Sequence, residues 1–259
     1  MAIHPYLVGA PLPRILAHRG LVTARMHDEG IAENTIAAFA AAHAAGATFI
    51  ESDCHLTKDG EVVLFHDDRL DRIAGIRRAI ADVTLSELES IMSTRGGLAT
   101  LEQAISTFPE MRFNIDVKAV GAAERAGAVV AAHADRILLT SFSDARRRAA
   151  LRAALDAGGS PATSPGRATI IALLLASKLL PIPWLSRRLL RGIDALQVPE
   201  RQGRITVLTP RLIAAAHDAG VEVHVWTVND ERDMRRLVDL GVDGIVTDRA
   251  DRALALFGG

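Results

Sequence analysis

Residues 211–246, RLIAAAHDAGVEVHVWTVNDERDMRRLVDLGVDGIV, decide the fold. The stretch reads helix, glycine, strand twice over. Arg211 to Ala219 stops at Gly220 before Val221 to Val228, and Asp233 to Leu240 stops at Gly241 before Asp243 to Val246. A glycine just past a helix supplies the left-handed backbone that ends it. Helices returned so quickly to strands feed a parallel sheet. The same unit stands near the N-terminus, where Ile36 to Ala45 stops at Gly46 before Thr48 to Ser52. Further β-rich runs at Ile15 to His18, Met111 to Lys118, Arg136 to Ser141, Thr169 to Leu175 and Ile193 to Val198 bring the strand count to eight. Eight strands alternating with helices in 259 residues predict an α/β fold, a (β/α)8 TIM barrel.

Two segments depart from simple alternation. Gly60 to Phe65, after the turn-forming Lys58-Asp59-Gly60, reads as a small hairpin or extra strand that ends on His66. Residues 69–98 hold a helix at Leu85 to Ile91, capped by Thr84 or Ser86, and are expected to form a small insertion after strand two, above the barrel. Gly158 to Gly166 reads as a flexible loop. With no second core and no long linker, residues 1–259 are expected to form one domain.

Composition narrows the function. Thirty basic residues against 31 acidic ones argue against a protein that coats nucleic acid or an anionic membrane, so any attraction for phosphate must be local. The single cysteine, Cys54, cannot form an internal disulfide, and Met1 to Leu16 lacks the pattern of a secretory signal; the expected compartment is the cytoplasm. The apolar run from Ala168 to Leu185 contains Lys178 and is cut by Pro181 and Pro183, so it does not span a membrane. It reads as a buried strand, Thr169 to Leu175, followed by irregular helix, with transient membrane or lipid contact as the alternative.

The chemistry collects at strand ends. Around Met111 to Lys118, Arg112, Asn114, Asp116 and Lys118 fall on one face and Met111, Phe113, Ile115 and Val117 on the other. A strand covered on both faces should be apolar nearly throughout. The polar face therefore points into the barrel, and Asp116 and Lys118 are read as functional rather than as an ion pair filling it. Phe49, Glu51 and Asp53 share a face in the same way. Two carboxylates at i and i+2 repel unless a cation lies between them, and with Asp116 they would make a three-carboxylate set for one divalent ion, Mg²⁺, Ca²⁺ or Mn²⁺. His18 and His66 end their runs at the same mouth and can share proton transfer, while Arg19 and Lys118 can neutralise a phosphate. Trp226, on one face with His224, either walls a substrate pocket or plugs the barrel. His43, His133 and His217 sit near helix C-termini and read as structural, and His55 reads as loop-exposed.

These pieces resemble the glycerophosphodiester phosphodiesterase family. The likeness rests on His18-Arg19-Gly20, Glu33-Asn34-Thr35, Glu51-Ser52-Asp53, His66-Asp67, Leu101-Glu102, Asn114-x-Asp116-x-Lys118, Trp226-Thr227-Val228-Asn229 and Asp243 to Asp248, in that order. It implies a barrel that hydrolyses glycerophosphodiesters, small-molecule substrates, to glycerol 3-phosphate and an alcohol using Mg²⁺ or Ca²⁺. It implies His18 and His66 as the acid/base pair, Glu51 and Asp53 as metal ligands, Arg19 and Lys118 as phosphate binders, and Glu33 and Asn34 as supporting residues. Where the family usually has Glu this chain has Asp116, shorter in reach by roughly 1.5 Å. Two other readings stand beside it: a lysophospholipid or sphingolipid-type phosphodiesterase, and a catalytically silent barrel that binds phosphorylated ligands, against which both histidines speak. The oligomeric state, and whether water or a glycerol hydroxyl attacks first, stay open.

Overall fold

The computed structural model describes residues 3–179 and 183–258. Its strands are β1 (Arg14–His18), β2 (Phe49–Leu56), β3 (Val62–Leu64), β4 (Arg112–Val117), β5 (Ile137–Thr140), β6 (Ala162–Thr163), β7 (Ala195–Pro199), β8 (Arg201–Gln202), β9 (Ile205–Thr206), β10 (Glu222–Trp226) and β11 (Gly244–Thr247). Eight of them run parallel in the order β6-β5-β4-β2-β1-β11-β10-β7. Between β6 and β7 the ring is completed by Asp194 N donating to Thr163 O (2.9 Å), Thr163 N to Asp194 Oδ2 (2.8 Å) and Gln197 N to Ser164 Oγ (3.2 Å). The result is the expected eight-stranded α/β barrel, nearly closed.

Seven of the eight predicted strands stand where the alternation put them. The sixth does not: Thr169 to Leu175 lies within the helix Arg167–Leu179, and the strand is Ala162–Thr163, inside the stretch read as a flexible loop. An unbroken apolar run carries no period that tells a buried strand from a helix. Here one face settles it, with Leu173 buried, Ile170 and Leu174 half-buried, and Ile171 and Leu175 exposed. Pro181 and the side chain of Lys178 lie outside the described residues. No described helix is long and apolar enough to cross a membrane.

Alternation along each strand builds two interiors. Outward residues such as Ile50, Phe113, Ile115, Val117, Val223 and Ile245 pack beneath the helices in the main core. Inward residues Leu16, Phe49, Leu138, Ala195 and Val246 form a separate apolar plug, packed with the N-terminal Tyr6 and Leu7 and topped by Val246, which also lines the cavity above. The Tyr6 and Phe49 rings meet edge-on at 5.3 Å. His224 is fully buried there and bonded to Glu222 (3.1 Å), and its ring lies 2.6 Å from where a Cβ on Gly244 would stand, so residue 244 has to be glycine. With the lower half filled by this plug and the Arg14–Glu222–His224 cluster, an open cavity is left at the C-terminal end of the barrel.

β3 pairs antiparallel with β2, the expected hairpin. After it, residues 69–98 carry the helices Asp71–Ala74 and Leu85–Met92. Thr84 caps the second in a reciprocal capping box with Glu87, a device worth about 1 kcal/mol. Val63, Phe65, Leu70, Ile80, Val83, Leu88, Met92 and Leu98 form a small core of their own under this segment.

Candidate active site

The loop after β1 turns sharply. Arg19 and Asn34 both hold left-handed backbones (φ 58° and 56°), an unusual state for residues with a Cβ that costs about 1–3 kcal/mol each. They are fixed by Arg19 N donating to Glu51 O (2.7 Å) and Asn34 N to Arg19 O (2.9 Å). Gly20 follows because a Cβ there would stand 2.8 Å from the Ala38 backbone. The strain aims His18 and Arg19 into a cavity of about 420 Å³ at the C-terminal mouth. Arg19, Glu51, Asp53, His66, Asp116, Lys118 and Trp226 face the same cavity. All eight lining residues expected from the sequence are thus brought together; Trp226 stands between the two alternatives, packed against the apolar plug on one side and lining the cavity on the other, its ring edge-on to Phe142 at 5.8 Å.

The two histidines are held alike. His18 Nδ1 lies 2.6 Å from Asp248 Oδ1, and Asp248 is in turn fixed by Asn229 Nδ2 (2.7 Å). His66 Nδ1 lies 2.6 Å from Asp67 Oδ1. Asp67 accepts from Arg72 Nε (2.6 Å), Arg72 Nη2 donates to Glu33 Oε1 (2.6 Å), and Arg19 Nη1 donates to the same oxygen (2.9 Å). A carboxylate on Nδ1 fixes the tautomer and leaves Nε2 for chemistry. Burial opposes the charged form of His18, but the bond to Asp248 and the charge of Glu51 outweigh it, so His18 titrates above its usual range. Asp248 and Asp67, although partly desolvated, are held below theirs by these bonds.

The carboxylates depart from expectation. Lys118 Nζ reaches both Asp53 Oδ1 (2.9 Å) and Asp116 Oδ2 (2.6 Å), so the Asp116–Lys118 ion pair that was set aside does form, at the cavity wall. Arg19 Nε lies 3.4 Å from Asp53 Oδ2, an electrostatic contact without hydrogen-bond geometry. Asn34 donates weakly to that oxygen (3.4 Å) and accepts from Ser52 Oγ (2.7 Å). Glu51, Asp53 and Asp116 therefore do not converge on an empty ion site: as placed, no three ligating side chains among the described residues stand close enough to hold a metal. A lysine long enough to bridge neighbouring strands takes up the charge that the spacing of carboxylates alone could not account for. Among the described residues that line the cavity, three buried oxygens stay without a donor, Glu51 Oε2, Asp116 Oδ1 and Asn114 Oδ1. Burial and the Asp53 charge push the Glu51 carboxyl up to about 8, and burial raises Asp116 despite Lys118. Hard, unpartnered oxygens beside an under-neutralised carboxylate fit a divalent cation in kind.

His55 is a further correction. It is buried in β2 rather than loop-exposed, its ring bonded to His66 O (3.1 Å), because the β3 hairpin folds back over it. Sequence reasoning assigned no role to Asp67, Asn229 or Asp248, although each stands in a quoted motif, nor to Arg72. It also missed the apolar wall supplied by Phe142, Ile170, Ile171, Leu174, Ile205 and Val207, since the helix that carries half of it was read as a strand.

Residues 18–252 match the model of the glycerophosphoryl diester phosphodiesterase family. The chain is 37% identical over 242 residues to probable glycerophosphodiester phosphodiesterase 2 of Mycobacterium tuberculosis, covering 91% of this chain and 87% of that one. A glycerophosphodiester phosphodiesterase from Thermotoga maritima superposes with a TM-score of 0.71 at 24% identity, over 94% of this chain and 97% of that one. A phosphodiesterase from Oleispira antarctica, solved with the product sn-glycerol-3-phosphate, superposes equally well (TM-score 0.71, 22% identity, 96% and 98% covered); likenesses this distant speak for the fold. With the family model spanning the barrel and a relative this similar over nearly its whole length, the chain belongs to the glycerophosphoryl diester phosphodiesterase family and is an enzyme of that class.

Proposed function

We propose that the chain hydrolyses glycerophosphodiesters to glycerol 3-phosphate and an alcohol, with His18 and His66 exchanging the protons. The observation that carries this reading is the paired arrangement of two histidines on one cavity, each with Nδ1 tied to its own carboxylate at 2.6 Å. One imidazole removes the proton from the attacking oxygen as the new P–O bond forms. The other gives a proton to the departing alkoxide as the old P–O bond breaks. Arg19 and Lys118 meet the phosphoryl oxygens, where charge grows as phosphorus becomes five-coordinate. The family is generally metal-dependent. In this chain Glu51 and Asp53, with Asp116, are the residues that would hold a Mg²⁺ or Ca²⁺ ion, whose contribution would be to neutralise charge on the phosphodiester. In this reading the alcohol would rest against the wall that Trp226 and Phe142 give the cavity. Residues 1–259 act in this reading as one barrel domain with 69–98 as its insertion. A cytoplasmic setting is supported by the free, buried Cys54, and the balanced charge speaks against a nucleic-acid partner.

A second reading, hydrolysis of lysophospholipids, is favoured by the apolar half of the cavity. A panel of water-soluble glycerophosphodiesters and single-chain lysophospholipids, each with Mg²⁺, Ca²⁺ or chelator, tests both. Glycerol 3-phosphate released from the soluble diesters, abolished by chelator, is the expected result. Full turnover in chelator would remove the metal from the reading, and turnover of lysolipids alone would favour the second.

A further inference from the structure

We infer that the mouth of the barrel docks on an anionic phospholipid surface through the loops that follow β4, β5, β6 and β7. These four strands are consecutive around the ring, so their C-terminal loops make one continuous half of the rim. Each presents a large apolar side chain to solvent: Val120 (78% exposed), Phe142 (56%), Ile171 (47%) and Ile205 (59%). Scattered exposed apolar residues are ordinary, but four on adjacent strand-to-helix connections and the first turns that follow, around one opening, are a patch.

The same half carries Arg167, Arg201 and Arg204, exposed and without a carboxylate partner among the described residues. Its acidic groups are largely engaged. Glu200 is held by both terminal nitrogens of Arg236, and Asp144 accepts from Gly166 N and Thr169; Glu124 is exposed and has no ion pair among the described residues. On the opposite half Glu33, Asp67, Arg72, Asp248 and Arg249 are tied into ion pairs, Arg252 is exposed, and no large apolar side chain among the described residues stands exposed beside them.

Apolar side chains interleaved with unpaired arginines match the boundary between headgroups and acyl chains, where the side chains leave water and the guanidinium groups meet phosphates. The apolar face also continues without a break into the cavity through Phe142, Ile171 and Ile205. A protein covering this face would seal the mouth, whereas a lipid surface leaves the cavity open to amphiphiles within it. The inference rests on the proposed reaction only in taking this mouth as the catalytic one.

The test is sedimentation with vesicles of phosphatidylcholine alone or with about a third phosphatidylglycerol, without substrate, at low and high salt. Wild-type protein should bind the anionic vesicles at least tenfold more tightly, and salt should weaken that binding. Arg201→Glu/Arg204→Glu and Val120→Asp change residues outside the cavity, so hydrolysis of a water-soluble glycerophosphodiester should continue at the wild-type rate. Vesicle binding should fall by about fivefold or more for each arginine removed, and should fall in Val120→Asp as well, because a charged side chain there cannot leave water. Equal binding to neutral and anionic vesicles, no binding to either, or unchanged binding by the variants would overturn the inference. So would a concentration-dependent dimer that Val120→Asp dissolves, because a second copy would then be the occupant. A wild-type protein that binds anionic vesicles yet leaves soluble diesters intact would sink the proposed reaction and leave the docking standing.

Discussion

Replacing Asp248 by Asn tests the arrangement of the histidines where it is most exposed to failure. The substitution keeps the size of the side chain and its contact with Asn229, and removes the charge that faces His18 Nδ1 at 2.6 Å. A hydrogen bond between charged partners contributes about 1.5–3 kcal/mol. The Asp248 side chain is 52% exposed, so solvent screening discounts this to about 1–2 kcal/mol. If that stabilisation acts on the orientation and protonation of His18 in the transition state, kcat should fall about five- to thirtyfold with little change in KM. The pH profile supplies a second readout. His18 titrates above its ordinary 6.5, so the pair's contribution from the histidine is complete below that pH and fades as pH rises through the raised value. Asp248 is depressed below its ordinary 3.8, and its contribution fades as pH falls through the lowered value. Asp248→Asn should move the limb that belongs to His18 toward lower pH and leave thermal unfolding near pH 9 almost unchanged. Steady-state rates against pH on a soluble glycerophosphodiester measure both effects. A kcat within twofold of wild type together with a superimposable profile would show that Asp248 only decorates the rim.

His18→Ala and His66→Ala should each lower kcat by about two to four powers of ten with the fold intact by circular dichroism, and a substrate with a good leaving group should rescue only the variant that lacks the acid. Near-normal rates in both would make the histidines structural. Metal-free protein should lose stability as pH rises from 4.5 to about 8, because folded Glu51 holds a proton that the unfolded chain has released. Calorimetry at several pH values checks this, and Mg²⁺ or Ca²⁺ should reverse the loss while releasing a proton; a flat profile in Glu51→Gln is the control. Asp116→Glu should stay active and bind the cation at least as tightly. Asp116→Asn should weaken it and loosen Lys118, and an Asn variant with unchanged metal affinity and rate would make Asp116 a barrel filler.

The parallel barrel was legible because its signal is local. A glycine stop after a helix fixes where a strand begins, and three strands followed from that; four more followed from short β-rich runs between helices. The sixth was not, because Thr169 to Leu175 is apolar without a period and the true strand, Ala162–Thr163, is only two residues long, held by Asp194 and by Leu139 O rather than by its own composition. Side chains at strand ends were equally readable: inward alternation brings Glu51, Asp53, Asp116 and Lys118 to one mouth whatever their rotamers. Their pairing was not readable. That Lys118 bridges Asp53 and Asp116, and that Asp248 comes 230 residues along the chain to meet His18, depends on register between β2 and β4 and on closure between β1 and β11. His55 fails for the same reason, since only the fold of β3 over β2 buries it.

Charge balance at the mouth follows from these pairings and bears on why a lysine and a cation can share one set of carboxylates. Glu51, Asp53 and Asp116 bring three negative charges into buried positions, and Arg19 and Lys118 return two. One charge is left over. It settles on Glu51, whose Oε2 has no donor and whose carboxyl is pushed up to about 8, so near neutral pH a proton occupies the gap. A divalent ion in place of that proton would carry the set from one unit negative to one unit positive. A phosphodiester, with its single negative charge, would then bring it to neutrality. On this count Lys118 leaves the set short by one charge rather than by two, so that ion and substrate are each favoured by the presence of the other. Substituting Lys118 by Met should therefore tighten the cation while weakening the substrate, a divergence that a lysine acting only as barrel filler would not produce.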